Sequence, residues 1–163
     1  MLEISIKSDS LEVTNEIGKL IGEEAFVGEV ITLSGDLGAG KTTLTKEIGK
    51  TIGVKEDINS PTFNILKCYF NKNGLNLYHI DAYRLEGVPK ENKNIGLEEV
   101  IEGDGLAVIE WPIYINEFLD FEESLNITIT INKDTNVRLF KLETYNDTKF
   151  NDLFIKLRKK FDK

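Results

Sequence analysis

The segment at residues 35–42, Gly-Asp-Leu-Gly-Ala-Gly-Lys-Thr, constrains this chain more than any other feature, because it fits the pattern G-x-x-x-x-G-K-[ST]. An apolar run at residues 30–33 precedes it, and a helical stretch at residues 43–52 follows it. A strand, a glycine-rich loop and a helix in this order form a phosphate-binding loop. The alternative is a glycine-rich turn that joins a strand to a helix and binds nothing, and the motif in this setting disfavours it. The segment therefore predicts binding of a nucleotide triphosphate.

Each part of the motif meets a need of a bound polyphosphate. The glycines let successive backbone N–H groups turn inward, and the following helix presents its positive N-terminal end. Lys41 is expected to reach the terminal phosphates, and Thr42 is expected to ligate Mg²⁺.

The predicted fold class is α/β: a single P-loop NTPase-like three-layer domain over residues 1–163, with a mixed, largely parallel central sheet flanked by helices. With 40% hydrophobic content, 163 residues suffice for one core and are too few for two ordinary domains. Strands are predicted at residues 2–6, 29–34, 106–109, 125–131 and from 137, a hairpin at 64–80, and helices at 41–52 and near the C-terminus. Another helix is predicted from apolar spacing at residues 13–21, with Asp9 as its cap.

The charge balance limits the partners that the chain can bind directly. Twenty Lys and Arg residues against 28 Asp and Glu residues give a net charge of −8, which repels a phosphate backbone. Autonomous nucleic-acid binding is therefore not expected. The sequence contains no signal-peptide core and no stretch long and apolar enough to span a membrane, so we expect no membrane association and a cytoplasmic location.

A Ser-Pro-containing segment at residues 59–63 is the next candidate. It lies about twenty residues beyond Lys41, where a protein with this loop can bring a hydroxyl to the terminal phosphate. That interpretation makes Thr62 a site residue. An ordinary turn set by Ser-Pro accounts for the segment equally well, and the sequence leaves both interpretations open.

Two apolar strands end in carboxylates, where the carboxyl ends of parallel strands face a ligand. Alternation places His79 and Asp81 on one side of the first strand. Asp81 is a candidate for a role at Mg²⁺ or at the attacking water, whereas His79 is expected to support the site from the core. Glu110 ends the second strand, at the position from which such proteins complete the Mg²⁺ shell; the alternative is a helix-capping acid.

Five motifs in order carry a resemblance to a known family. They are Gly-Asp-Leu-Gly-Ala-Gly-Lys-Thr-Thr, Ser-Pro-Thr-Phe, His-x-Asp-x-Tyr-Arg-Leu, Gly-Leu-Glu-Glu at residues 96–99, and Glu-Trp-Pro. Over residues 28–112 the chain resembles the TsaE (YjeE) family of bacterial P-loop ATPases. After residue 112 it departs from the family's usual polar continuation with Ile-Tyr-Ile.

The resemblance implies an ATPase that assists formation of N6-threonylcarbamoyladenosine at position 37 of tRNA. It implies association with the TsaD–TsaB complex, so that tRNA is reached only indirectly, and it implies ATP and Mg²⁺ as ligands. By motif, Thr42 and Glu110 would ligate Mg²⁺, while Lys41, Asp81 and Thr62 would act at the phosphates. The implied nucleotide-binding residues are Asp36, Leu37, Gly38, Ala39, Gly40, Lys41, Thr42, Thr43 and Trp111, with Arg138 as a candidate contact to the base.

Three other functions use the same loop. A small-molecule kinase is the main alternative, but phosphoryl transfer usually draws on several arginines, and this chain has only Arg84, Arg138 and Arg158. A GTP switch needs Asn-Lys-x-Asp for guanine, and the segment at residues 132–135 does not fit that spacing. A nucleotide-binding scaffold without turnover is distinguished by measuring phosphate release. Because no arginine is obviously placed to stabilise the transition state, hydrolysis by the chain alone is expected to be slow.

Overall fold

The computed structural model describes residues 1–36, 38–59, 61, 65–93 and 96–162. Its strands are β1 (Leu2–Ser8), β2 (Val30–Gly35), β3 (Leu66–Tyr69), β4 (Asn76–Asp81), β5 (Gly105–Glu110), β6 (Leu125–Ile131) and β7 (Arg138–Thr144). Its α-helices are α1 (Leu11–Glu23), α2 (Lys41–Ile52), α3 (Lys90–Lys93), α4 (Leu97–Val100) and α5 (Asp147–Phe161), and short 3₁₀ segments occupy Tyr83–Leu85 and Pro112–Phe118.

All seven strands form one mixed sheet in the order β1-β7-β6-β2-β5-β4-β3. The four central strands, β6, β2, β5 and β4, are parallel to one another. The outer pairings, β1 with β7, β7 with β6, and β3 with β4, are antiparallel. The predicted fold class is therefore confirmed, with the parallel part confined to the centre of the sheet.

The two faces of the sheet carry different layers. In β5, Leu106 and Val108 belong to the larger apolar cluster, which also contains buried apolar residues of α1, α2 and α5. Ala107 and Ile109 alternate to the other face, where they pack with residues such as Leu97 and Ile115 from the short helical segments. All six residues of β5 are buried, as expected of a central parallel strand covered on both faces.

The N-terminal helix begins one residue later than the sequence indicates. Its cap is Ser10 and not Asp9: Ser10 has an extended backbone, and its hydroxyl accepts a hydrogen bond from the Val13 N–H. The predicted hairpin is present as the antiparallel pair β3 and β4, although residue 64 lies outside the described part of the chain. None of the described helices is long and apolar enough to cross a membrane.

Candidate nucleotide site

The predicted site residues lie at the carboxyl end of the parallel strands. Asp81, the last residue of β4, is the register partner of Glu110, the last residue of β5. Next to them β2 runs into the glycine-rich loop and α2. A cavity of about 450 Å³ opens here, within the range typical of small-molecule sites. Its lining residues are Ser10, Leu11, Thr14, Gly38, Gly40, Lys41, Thr42, Thr43, Asp81, Glu110, Trp111 and Arg138.

Glycine is required at two points of the loop. Gly40, the N-cap residue of α2, has a left-handed backbone with φ of 110°, which disfavours residues with a side chain. As a cap it has no side chain that could accept hydrogen bonds from the first-turn amides of α2, and these amides belong to residues that line the cavity. At Gly35, a Cβ atom would lie 2.5 Å from the carbonyl oxygen of Ile129 on the neighbouring strand.

Lys41, the first residue of α2, is held inside the site. Its side chain is mostly buried, its Nζ donates to the Gly35 carbonyl oxygen at 2.6 Å, and the ammonium lies 4.2 Å from the centre of the Trp111 ring. Burial lowers the pKa of Lys41, and the nearby carboxylates of Glu110, Asp81 and Asp36 oppose that shift. The site therefore places one buried cation among acids, next to the N-terminal end of a helix.

Glu110 is joined to His79 by a buried contact. The Nε2 atom of His79 lies 2.6 Å from Oε2 of Glu110, and the two residues are 0% and 3% exposed. The contact fits an Nε2–H donor on His79 and a carboxylate acceptor on Glu110. Among the described residues, the Nδ1 atom of His79 has no hydrogen-bond partner. The contact restricts the orientation of the Glu110 carboxylate.

Trp111 follows Glu110 in a strained conformation. Its φ of 57° and ψ of 52° place a bulky residue in the left-handed region, and such strain tends to occur at functional sites. Its ring stacks on Tyr114 with 6.0 Å between centroids and contacts Tyr83 at 5.1 Å. Behind this aromatic group, Lys93 donates to the Tyr114 carbonyl and forms an ion pair with Glu117.

The structure brings most of the predicted site residues together. Ala39 is fully buried behind the loop, and Asp36 is exposed and influences Lys41 through its charge. Leu37 and Thr62 lie outside the described residues. The predicted nucleotide residues that line the cavity are Gly38, Gly40, Lys41, Thr42, Thr43, Trp111 and Arg138, alongside Asp81 and Glu110.

The sequence did not identify the contribution of α1 to this cavity. Ser10, Leu11 and Thr14 line it, and Leu11 is 65% exposed. No motif marks these residues, because their position depends on how β1 and α1 pack beside the loop. The partnership of His79 with Glu110 depends in the same way on the pairing of β4 with β5.

The oxygen atoms at this site suit Mg²⁺ in the presence of a polyphosphate. The described residues contain no cluster of three or more His, Cys, Asp or Glu side chains that could hold a metal ion. Mg²⁺ usually keeps several waters and is held by one or two protein oxygens together with substrate phosphates. The Thr42 hydroxyl and the Glu110 carboxylate, both lining the cavity, are of the required type.

Comparisons with known proteins agree on one family. The family profile described as threonylcarbamoyl adenosine biosynthesis protein TsaE matches residues 8–140. The chain is 43% identical over 129 residues to the tRNA threonylcarbamoyladenosine biosynthesis protein TsaE of Bacillus subtilis, covering 79% of this chain and 78% of that protein. The protein of the same name from Treponema pallidum is 36% identical, with 79% and 93% covered. A crystal structure of Bacillus subtilis YdiB has a TM-score of 0.79 and 32% identity, covering 98% of this chain and 96% of that one.

Proposed function

The chain belongs to the TsaE family of threonylcarbamoyl adenosine biosynthesis proteins, and from this premise we propose that it is a Mg²⁺-dependent ATPase serving N6-threonylcarbamoyladenosine formation on tRNA. The relatives' names supply the pathway. The ATPase activity is our proposal from the residues of the site.

The observation that carries the ATPase proposal is the pairing of Asp81 with Glu110 beside the glycine-rich loop. Two neighbouring parallel strands end in carboxylates on the same side of the sheet, facing a buried lysine and the first turn of a helix. This combination provides cationic and N–H groups for phosphates and oxygen atoms for a hard cation and a water molecule. These groups can bind the triphosphate, the cation and the attacking water that hydrolysis requires.

Each residue has a defined role in the proposed reaction. Lys41 and the first-turn amides of α2 bind the β- and γ-phosphates, and Asp81 orients the attacking water. Thr42 and Glu110 would hold Mg²⁺, which when bound neutralises charge on the transferred phosphoryl group. His79 maintains the Glu110 carboxylate in one orientation through the 2.6 Å contact. Trp111 covers one side of Lys41 and limits the access of water.

We propose that the chain acts with the TsaD–TsaB complex, which performs the transfer to tRNA. A net charge of −8 opposes direct capture of tRNA, so tRNA is reached through that complex. A partner-supplied arginine or a closed conformation would then accelerate hydrolysis, an effect worth about a thousandfold or more in analogous systems.

A reconstituted assay tests the proposal. We expect ATP hydrolysis by the chain alone to be slow, and multiple turnovers of tRNA modification by TsaD–TsaB to require both this chain and ATP. Glu110→Ala should fail to support those turnovers, whereas Glu122→Ala, which removes an exposed carboxylate outside the site, should support them fully. Equal yield without the chain, or full activity of Glu110→Ala, contradicts the proposal.

The kinase alternative predicts a different fate for the γ-phosphate of ATP. A kinase transfers the γ-phosphate to an acceptor molecule, whereas an ATPase releases it as inorganic phosphate. With γ-labelled ATP, we expect the label to appear as free phosphate in proportion to ADP formed. Label that accumulates in a small molecule would favour the kinase.

A further inference from the structure

Arg138, the first residue of β7, contacts the glycine-rich loop from nearly 100 residues away in the sequence. Its Nε donates to the carbonyl oxygen of Ala39 at 2.9 Å, and its Nη2 donates to that of Gly38 at 3.1 Å. The two acceptors are consecutive carbonyls, so the planar guanidinium spans two neighbouring peptide groups. These contacts differ from the base contact expected for this residue.

The peptide geometry connects these contacts to phosphate binding. In a trans peptide the carbonyl and the following N–H point in opposite directions, and no cis peptide occurs among the described residues. Fixing the Ala39 carbonyl on one side therefore directs the Gly40 N–H to the other side. Gly40 lines the cavity and caps α2, so its N–H belongs to the group that would bind phosphate.

We infer that Arg138 is a positioning residue that holds the phosphate loop in its binding conformation through the carbonyls of Gly38 and Ala39. This inference rests on the proposed nucleotide-binding function and adds a residue that acts through the loop backbone. The glycines that give the loop its shape also leave it many other backbone conformations. Arg138 restricts those conformations, so that the loop loses less conformational entropy when a ligand binds.

The position of Arg138 in the sheet makes it suitable for this task. Its register partners are Ser8 on β1 and Ile131 on β6, so its backbone is fixed by strands on both sides. The side chain packs closely on the loop: a Cβ atom at Gly40 would lie 3.6 Å from both Cδ and Nε of Arg138. Lysine donates from one nitrogen only and lacks the rigid fork of two nitrogens with which a guanidinium matches two neighbouring carbonyls.

Binding measurements with three ligands separate this role from a base contact. Mg²⁺ with ATP, GTP or inorganic tripolyphosphate is titrated into the wild type, Arg138→Ala and Arg138→Lys. Because the loop binds the phosphates that all three ligands share, we expect Arg138→Ala to weaken all three by a similar factor, about 10-fold or more. Arg138→Lys should restore only part of the affinity. Arg158→Ala, which removes an exposed arginine on α5, should leave all three affinities unchanged.

Two outcomes of the titrations overturn the inference. A loss for ATP with unchanged binding of tripolyphosphate identifies a base contact. Unchanged binding of all three ligands by Arg138→Ala shows that Arg138 does not hold the loop in its phosphate-binding conformation. Failure of the proposed function is separate, because absence of ATP hydrolysis in the wild type leaves the tripolyphosphate comparison intact.

Hydrogen exchange supplies a measurement that needs no ligand. In Arg138→Ala and Arg138→Lys, the amides of Ala39 and Leu44, which donate to the carbonyls of Asp36 and Gly40, should exchange faster than in the wild type, while those of β5 keep their protection. A general loss of stability would raise exchange in β5 as well. Unchanged exchange of the loop in both variants would show that Arg138 does not hold it, and would overturn the inference.

Discussion

The ammonium of Lys41 is mostly buried and is surrounded by protein groups in place of water. Its ammonium contacts the Gly35 carbonyl and the Trp111 ring, and the acids around it favour the charged form. A phosphate placed at the first turn of α2 would therefore meet a cation that is already ordered. This order is useful for binding because less side-chain entropy is lost when the ligand arrives.

Replacing Lys41 with alanine should largely abolish ATP binding. A methyl group cannot donate to phosphate, and a hydrogen bond to a charged group is worth about 1.5–3 kcal/mol, which corresponds to about 10- to 100-fold in affinity. The fluorescence of Trp111, the single tryptophan in the chain, can follow the titration. Lys46→Ala, an exposed lysine on the same helix, is the matched control and should bind as the wild type does. Wild-type affinity of Lys41→Ala would contradict this role.

The two carboxylates should behave differently from Lys41. In our proposal Asp81 and Glu110 act on water and Mg²⁺, so Asp81→Asn and Glu110→Gln should keep most of the ATP affinity and lose turnover by about 100-fold or more. Both substitutions preserve the size of the side chain, and the glutamine oxygen can still accept from His79 Nε2. Phosphate release under saturating ATP gives the turnover, and equilibrium titration gives the affinity. Wild-type turnover in both variants would remove these roles.

ATP affinity should fall at high pH through the titration of Lys41. Because burial lowers its pKa below the ordinary value of 10.5, this lysine loses its proton at a lower pH than an exposed lysine. Phosphate binding favours the charged form, so affinity is highest below that pKa and weakens as the pH rises through it. Titrations from pH 7 to pH 10.5 should show the decline in the wild type. Its absence would indicate that the charge on Lys41 is not needed for binding.

The residues that could be predicted from sequence are those fixed by local spacing. Lys41 and Thr42 follow from the loop motif, and Asp81 and Glu110 follow from their places at strand ends. The sequence also indicates Arg138, but as a contact to the base; its contacts with the loop carbonyls depend on the strand order β7-β6-β2. No sequence pattern indicates Leu11, because it reaches the cavity through the packing of α1, which no short motif encodes.

At the scale of elements, the packing of α1 on α2 depends on glycines that allow close approach. Cβ atoms at Gly18 and Gly22 would lie 2.8 Å from Glu47 Cβ and 2.6 Å from Thr51 Cβ, respectively. Real Cβ contacts are not this short, so the helices would have to move apart if either glycine gained a side chain. Since α2 begins at the phosphate loop, the same packing also sets the position of Lys41.

Gly22→Ala should therefore destabilise the protein, although alanine is the better helix former. Alanine gains up to about 1 kcal/mol in helix propensity, whereas overpacking of a close interface costs about 1–3 kcal/mol. We expect a net decrease of about 1–2 kcal/mol in the free energy of unfolding, measured by urea denaturation. Lys19→Ala on the exposed side of α1 is the control and should change stability by less than about 0.5 kcal/mol. An increase in stability for Gly22→Ala would show that the interface can open at little cost.

The long elements were predictable, and the short ones on the second face were not. The apolar spacing of α5 and the alternation in β6 indicate their structure directly, and both are present. The helical segments α3, α4 and Pro112–Phe118 are too short for a periodic signal. Residues of α4 and of Pro112–Phe118 pack with Ala107 and Ile109 of the sheet, a tertiary requirement that no local pattern expresses.

For the whole molecule, the distribution of charge predicts weak interaction with tRNA. The C-terminal helix carries several basic residues, but two of them form ion pairs: Lys160 with Glu16 of α1, and Lys156 with Glu24, which directly follows α1. The other basic residues are outweighed by acidic ones, since the net charge of the chain is −8. We expect no measurable tRNA binding by the isolated chain at about 0.15 M salt, in a filter-binding assay repeated at low salt. Strong binding with a steep salt dependence would contradict the indirect route to tRNA.

A buried carboxyl far from the site should make global stability depend on pH. Glu29 precedes β2 at its amino end, opposite the nucleotide cavity, and is 2% exposed. Burial raises its pKa from an ordinary value of 4.5 to about 8, while the hydrogen bond from the Phe26 N–H opposes the shift. The carboxyl is therefore protonated in the folded protein at a pH where it is ionised in the unfolded chain.

This difference fixes the sign of the effect. Below pH 4.5 Glu29 is protonated in both the folded and the unfolded state and imposes no penalty. Between pH 4.5 and about 8 it is ionised in the unfolded chain but still protonated in the folded protein. The free energy of unfolding therefore falls by about 1.4 kcal/mol per pH unit in this range. Glu29→Gln removes the titration, and its side-chain oxygen can still accept from the Phe26 N–H.

Urea unfolding of this variant and of the wild type at pH 4.5 and pH 8.5 tests the effect. We expect the free energy of unfolding of Glu29→Gln to gain a few kcal/mol relative to the wild type between the two pH values. Glu122→Gln, an exposed control, should show no such gain, and ATP affinity should be unaffected in both variants. An equal pH dependence for Glu29→Gln and the wild type would show that Glu29 does not retain its proton on folding.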